Sequence, residues 1–383
     1  LSCSQFTLDG SKNDTSLALD ALRAIAAQMV CIGHGISFFL PELRQSGLPL
    51  PQNVGVLLFF VLSGFLISYT LLEKSRNPSY TFLQFFIDRA ARIYSALVPC
   101  LLLVVLVDTG TIWLIGDRVL EGSRSPTIFL ANLLMIETYR GPLEHLSLLR
   151  WPIIGSASPL WTLVIEWHIY LFVGAPFFIG ATPARATVLI PIAVIFGQIP
   201  LHYMFGALQE DNGLGRSLFA LWLAGAYSYV VLRSVALQSR TLGAVLAVGS
   251  IVAYVATTRA YLEYKPVTYP LLVLFVLGVV VATQAGRIAA SPWPAKIIRF
   301  FAGYSFTLYL IHHTLMYPAF LLWKDAGWLV FIPAVLVANV VAAVVASYTE
   351  SRHKQLAQWL QRRISRIQFF VRGEPGIRIR DAQ

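Results

Sequence analysis

Apolar runs long enough to cross a bilayer follow one another along this chain, and they limit the fold more than any other feature. A lipid interior offers the backbone no hydrogen-bond partner, so a crossing segment must be a helix or a strand of a closed barrel. A helical span needs roughly 20 apolar residues. Ten runs meet that description: 17–39, 54–72, 93–115, 159–179, 186–203, 216–235, 241–258, 267–285, 302–323 and 327–348. The expectation is an all-α integral membrane protein, a bundle of about ten transmembrane helices. Composition agrees, since only 13% of residues are charged, against about 25% in a soluble domain.

The net charge of +10 therefore carries no message about nucleic acid, and no nucleic-acid partner is expected. Lys and Arg of a membrane protein collect on cytoplasmic loops and at anionic headgroups. With the N-terminus in the cytoplasm, inside segments hold 19 of the 29 Lys and Arg and outside segments 9. Both termini are thus expected inside. The chain divides into a cytoplasmic tail (1–16), a transmembrane domain (17–348) and a basic amphipathic cytoplasmic tail (349–383). In the last, Leu356, Trp359, Leu360, Ile364 and Ile367 recur at helical spacing with Arg362, Arg363 and Arg366 between them. That pattern suits the inner leaflet. Residues 126–139 are apolar but short, and read as a re-entrant or interfacial piece of a long loop. Cys3, Cys31 and Cys100 form no CxxC pair and no zinc spacing, so no metal site is expected. The first apolar run is too long for a cleavable signal peptide.

Ionisable residues inside spans are costly and mark function by default. "LDALRAIAAQMVCIGH" (19–34) holds Asp20, Arg23 and His34. Arg23 and His34 are 11 residues apart; eleven steps of ~100° return to the same face, ~16 Å along the axis. One stripe then links an anion-binding group near the cytoplasm to a base near the outside. A structural i,i+3 pair between Asp20 and Arg23 is the plainer alternative. Span two places Ser63 and Gly64 at mid-membrane, suited to close helix packing or to a narrow passage for a thin substrate arm. "FFIDRAARIYSALVP" places Arg89 and Arg92 at the mouth of span three, as positive-inside anchors or as phosphate ligands. Glu166 of span four lies at nearly the depth of His34, so the carboxylate is expected to orient the imidazole; Tyr170, four residues on, shares its face. Ser305 and His312 share a face in span nine, where His313 aligns with Tyr309. Asp108 and His202 receive no role. Trp113, Trp151 and Trp161 suit either sugar stacking or the interfacial belt, with the belt favoured.

Taken in order, these stretches resemble the acyltransferase-3 family of membrane acyltransferases, from Asp20 to about Glu350. Arg23 and His34 match its Arg-x10-His signature, "FFVLSGFLIS" its Ser-Gly-Phe-Leu motif and "RAARIY" its Arg-x-x-Arg motif. "LWTLVIEWHIYL" resembles the stretch that carries its glutamate, here Glu166. "YSFTLYLIHH" resembles the element that selects His312 over His313, and "SYTESR" the closing element with Glu350. Leu57, Ser95 and Trp167 depart from the pattern and bear on acceptor choice more than on chemistry.

The resemblance implies a multi-pass protein of the bacterial inner membrane and no bound cofactor. It implies acyl-CoA, acetyl-CoA above all, as cytoplasmic co-substrate. The acceptor would be a saccharide or lipid-linked saccharide hydroxyl, as in exopolysaccharide, O-antigen or lipo-oligosaccharide. Many members carry an added extracytoplasmic domain, and this chain is expected to act as a membrane domain alone. Arg89 and Arg92, with Lys74 and Arg76 nearby, would hold the donor's phosphates, the pantetheine arm would pass Ser63 and Gly64, and Arg23 would steady a phosphate or a polar part of that arm. His34 would be general base, oriented by Glu166; a transient acyl-histidine is the competing mechanism. Asp20, Tyr170, Ser305, His312 and Glu350 would support them. From a different class, a permease for a small anion or sugar would use Arg23 and His34 as binding and proton-relay residues.

Overall fold

The computed structural model describes residue 8 and residues 14–138, 151–181, 185–235, 237–284 and 292–372. Most of the expected N-terminal tail, the segment 139–150 and the end of the basic tail lie outside the described residues. Among the described residues, regular structure is helical, apart from one isolated bridge between Gln209 and Leu214. In chain order the helices are α1 (Thr15–Phe39), α2 (Pro41–Arg44), α3 (Pro51–Lys74), α4 (Phe82–Ile115), α5 (Arg118–Gly122), α6 (Pro126–Leu133) and α7 (Leu160–Ala181). They continue with α8 (Ala186–His202), α9 (Leu218–Ser234), α10 (Arg240–Thr257), α11 (Tyr269–Gln284), α12 (Pro292–Gly303), α13 (Ser305–Trp323), α14 (Trp328–Tyr348) and α15 (His353–Arg372). Each of the ten apolar runs coincides with a helix. Among the described residues, seven helical stretches are long and apolar enough to cross a membrane: α1, α3, α4, α7, α10, α11 with its leading turn, and α14 running on into α15. α8 and α9 are apolar but have 17 residues each.

Close crossings rest on glycine. A Cβ on Gly64 of α3 would sit 2.0 Å from the Trp222 carbonyl oxygen, and one on Gly225 of α9 would sit 2.3 Å from that of Val61. α3 and α9 therefore touch backbone to backbone. Gly243 and Gly278 do the same for α10 and α11. Where the hydrophobic effect between helices is weak, such contact supplies packing. Gly64, for which the sequence allows either close helix packing or a place beside a substrate arm, sits at this helix crossing.

α4 begins eleven residues before the apolar run that foreshadows it, and so the expected loop carrying Arg89 and Arg92 is helical. Its start is a capping box: Thr81 N donates to Gln84 Oε1 at 2.6 Å. At 34 residues it is roughly 50 Å long by its rise per residue, beyond a ~30 Å hydrocarbon core. The overhang forms the basic end of the bundle. α15 packs Leu356, Ala357, Leu360 and Ile364 against Phe86, Ile87 and Ala91 of that overhang. Leu356, Leu360 and Ile364 of the tail's apolar stripe, expected to face lipid headgroups, thus pack on α4, while Trp359 is exposed.

At the opposite end, residues 126–137 enter the bundle. Buried Asn132 donates to the carbonyls of Ile128 and Pro152, at 2.9 and 3.0 Å, and accepts from Ile154 N at 3.1 Å. The Met135 carbonyl lies 3.1 Å from His168 Nε2 of α7. Buried Asp108 of α4 accepts from Ser156 N at 2.9 Å and Ser156 Oγ at 2.6 Å, which ties the returning strand of this loop to α4.

Candidate active site

Five helices and the first residue of α15 surround a cavity of about 310 Å³ at the basic end. Arg23 comes from α1, Ser63 from α3, Arg89 and Arg92 from α4, Glu166 and Tyr170 from α7, Ser305 from α13, and His353 closes it. Residues from spans one, two, three, four and nine therefore share one space. A second hollow lies outside it, lined by Lys74, Tyr80, Asp88 and Lys354 among others, and shares Arg89 and His353 with it. A narrow slot of about 40 Å³ lies on the inner side, sharing Phe59, Glu166 and Phe306 and reaching Thr162 and Tyr309. Together they trace a path from the basic end into the bundle.

The three arginines differ in what binds them. Arg92 Nη2 lies 2.9 Å from Glu350 Oε1, and its guanidinium rests over the Phe306 ring at 5.7 Å. Glu350 is 1% exposed and its other oxygen accepts from Thr307 N at 3.0 Å and Thr307 Oγ1 at 2.9 Å. Glu350 thereby caps the first turn of α13, where backbone N–H groups lack helical partners, and holds that turn to α4. Arg23 meets Asp20 only at 3.4 Å, so most of its donors stay available. Arg89 has no acidic partner within ion-pair distance among the described residues, and its buried Nε lacks a hydrogen bond. A planar cation left in this state suits an anionic oxygen. Burial pushes the His353 imidazole below its ordinary value, and Arg92 and Lys354 push the same way, against its contact with the Glu350 carbonyl.

Along the cavity wall a polar chain has one direction. Trp222 Nε1 can only donate, and it lies 3.1 Å from Ser63 Oγ. Ser63 Oγ lies 3.1 Å from the Tyr170 hydroxyl, which donates to Glu166. The chain ends on a carboxylate that lines both cavity and slot. A short hydroxyl contact between Thr162 and Tyr309 closes the slot's far side.

His34 lines neither the cavity nor the slot; the slot's Tyr309 lies 6.3 Å, ring to ring, from its neighbour His312. His34 Nδ1 is 3.0 Å from the Val30 carbonyl and 3.1 Å from His312 Nε2. None of the described hydrogen bonds joins it to Glu166. Matching depth, then, does not make them direct partners: Tyr170 occupies Glu166, and His312 meets His34. His312 Nδ1 is 2.9 Å from the Leu308 carbonyl. His313 turns away, its Nδ1 2.6 Å from the Ser156 carbonyl, while its ring meets His34 edge-on at 5.4 Å. Trp222, Ser156 and Thr162 escaped the sequence reading; the usable signal was that a buried Trp N–H or hydroxyl seeks a partner. The tryptophans considered for sugars divide: Trp113 is 84% exposed on α4, whereas Trp161 is buried.

Among the described residues no group of three or more His, Cys, Asp or Glu converges as metal ligands do. No solved structure matches the chain. A similar protein is an O-acetyl transferase of Shigella phage Sf6, 30% identical over 211 residues, or 54% of this chain and 58% of that one. Another is the peptidoglycan O-acetyltransferase OatA of Listeria monocytogenes, 25% identical over 325 residues, or 78% of this chain and 49% of that one. The chain thus spans about half the length of the curated relatives it matches. The family described as an acyltransferase domain, acyltransferase 3, matches residues 16–348, and the chain belongs to that family.

Proposed function

We propose that this chain transfers an acetyl group from acetyl-CoA to a hydroxyl of a surface carbohydrate or its lipid-linked precursor. In this reading it spans the bacterial inner membrane ten times, with both termini and the basic end in the cytoplasm. The carrying observation is the cavity lined by Arg23, Arg89 and Arg92, continued by a slot that reaches Tyr309, whose ring is 6.3 Å from that of His312. Coenzyme A carries several phosphates and cannot cross a bilayer, so its charged end must be held at one face while its thin arm enters. The cavity has that form: free guanidinium donors at the mouth, the narrow Phe59–Tyr309 slot inside. The names of the two relatives support acetyl as the group, and the second supports a polysaccharide as acceptor.

In the reaction, His34 Nε2 takes the proton of the acceptor hydroxyl as its oxygen attacks the thioester carbonyl. The C–O bond forms, the C–S bond breaks, and the departing sulfur takes the proton from His34. Glu166 faces cavity and slot and, held by Tyr170, orients the donor arm rather than the base. Base catalysis contributes about 10²–10⁴-fold, so His34→Ala should lose that much turnover at equal protein level. Membranes bearing either form, given radiolabelled acetyl-CoA, test this by label in the carbohydrate fraction. Equal labelling by both forms would refute the assignment.

A further inference from the structure

We infer that His312 is a positioning residue that fixes the tautomer of His34, in place of the carboxylate that usually does so for a histidine base. The inference rests on the reading of His34 as general base.

Each ring nitrogen of a neutral histidine is either a donor or an acceptor, and its neighbours decide which. His34 Nδ1 faces the Val30 carbonyl at 3.0 Å, which can only accept. His34 Nδ1 therefore carries the hydrogen. His312 Nδ1 faces the Leu308 carbonyl at 2.9 Å and carries its hydrogen for the same reason. His312 Nε2 is then a lone pair, 3.1 Å from His34 Nδ1. The His34 N–H is shared between a carbonyl and an imidazole lone pair, and both contacts agree on one tautomer. The reverse assignment would set a lone pair against a carbonyl oxygen at both histidines.

The consequence is at the far side of the ring. With Nδ1 protonated, His34 Nε2 is the basic atom, and none of the described hydrogen bonds occupies it. When Nε2 gains the acceptor's proton, the charge on the ring is shared with two acceptors at Nδ1. His312 is 0% exposed and seven residues from Ser305 on the same face of α13. The Glu350 clamp holds that helix at its start, so the lone pair is presented by a rigid element.

His312→Leu keeps bulk and removes the acceptor, whereas His312→Gln keeps a carbonyl oxygen near the Nε2 position. Turnover and acetyl-CoA KM are measured with radiolabelled acetyl-CoA on membranes holding equal amounts of wild type, both variants, His34→Ala and the His34→Ala/His312→Leu pair. Loss of such an orienting partner commonly costs about 10–100-fold; His312→Leu should lose that much kcat with KM within about twofold. His312→Gln should recover most of it, and the pair should match His34→Ala alone. Normal kcat in His312→Leu, with His34→Ala inactive, overturns the positioning role and leaves the base reading standing. Equal loss in His312→Leu and His312→Gln also overturns it. Full turnover in His34→Ala overturns the base reading, and this inference with it.

Discussion

At the scale of single residues, three arginines share a cavity and have different duties. Arg89 is free to bind an anion, and charge-assisted bonds contribute about 1.5–3 kcal/mol each. Arg89→Ala should therefore raise acetyl-CoA KM by roughly 10–100-fold with kcat changed little, and Arg89→Lys should recover only part, having lost the planar fork. Arg92→Ala should act differently, because it strands the buried Glu350 carboxylate. The loss should be on the order of 3 kcal/mol of stability, the low end for a buried pair, since a quarter of the Arg92 side chain is exposed. Donor kinetics and thermal unfolding in detergent, run on both variants, separate the two roles. Helical arithmetic in the sequence put Arg23 with His34, and Glu166 with Tyr170, on common faces. It could not say which helices face each other around the bundle, and so it matched His34 with Glu166 by depth and missed the His34–His312 contact.

Elements show where a hydropathy reading stops. By hydropathy the first part of α4 looks like a loop ahead of a span, because charge ends an apolar run, yet a helix continues through charge once it leaves lipid. The Thr81–Gln84 capping box was the local sign of its true start. The amphipathic stripe of the tail was legible, but its cover was not, because lipid and Phe86–Ala91 of α4 ask the same of it. The α3–α9 crossing gives a packing test. Gly64→Ala puts a methyl within 2.0 Å of the Trp222 oxygen; overpacking of this kind costs about 1–3 kcal/mol. Gly249→Ala on α10 meets nothing within 4 Å and should gain up to about 1 kcal/mol from helix propensity. Opposite shifts in detergent unfolding temperature are the expected result; a neutral Gly64→Ala would deny the backbone contact. α15 adds a pH dependence. His353 binds its proton less readily folded than unfolded, so the unfolded chain binds more protons below its ordinary value of 6.5. Its contribution is complete above that value and is lost as pH falls below it. Unfolding temperatures across that range should decline less steeply for His353→Gln than for the wild type.

Over the whole molecule, hydropathy alone points to an all-helical membrane protein, and each of the ten apolar runs is helical. Length and hydropathy alone qualify seven of them as spans; the shorter ones depend on neighbours for their environment, which no local window contains. The path from vestibule to cavity to slot was not legible, because it arises only where α1, α3, α4, α7 and α13 meet. On the proposed function the reaction is vectorial: the donor would enter at the basic end and meet the acceptor at His34. Sealed vesicles of known sidedness test this directly. Acetyl-CoA does not cross the bilayer, so inverted vesicles, which present the cytoplasmic face, should label their carbohydrate acceptor when radiolabelled acetyl-CoA is added outside. Right-side-out vesicles given the same donor should not, and inverted vesicles bearing His34→Ala should not. Labelling of right-side-out vesicles, or undiminished labelling by the His34→Ala protein, would contradict the account.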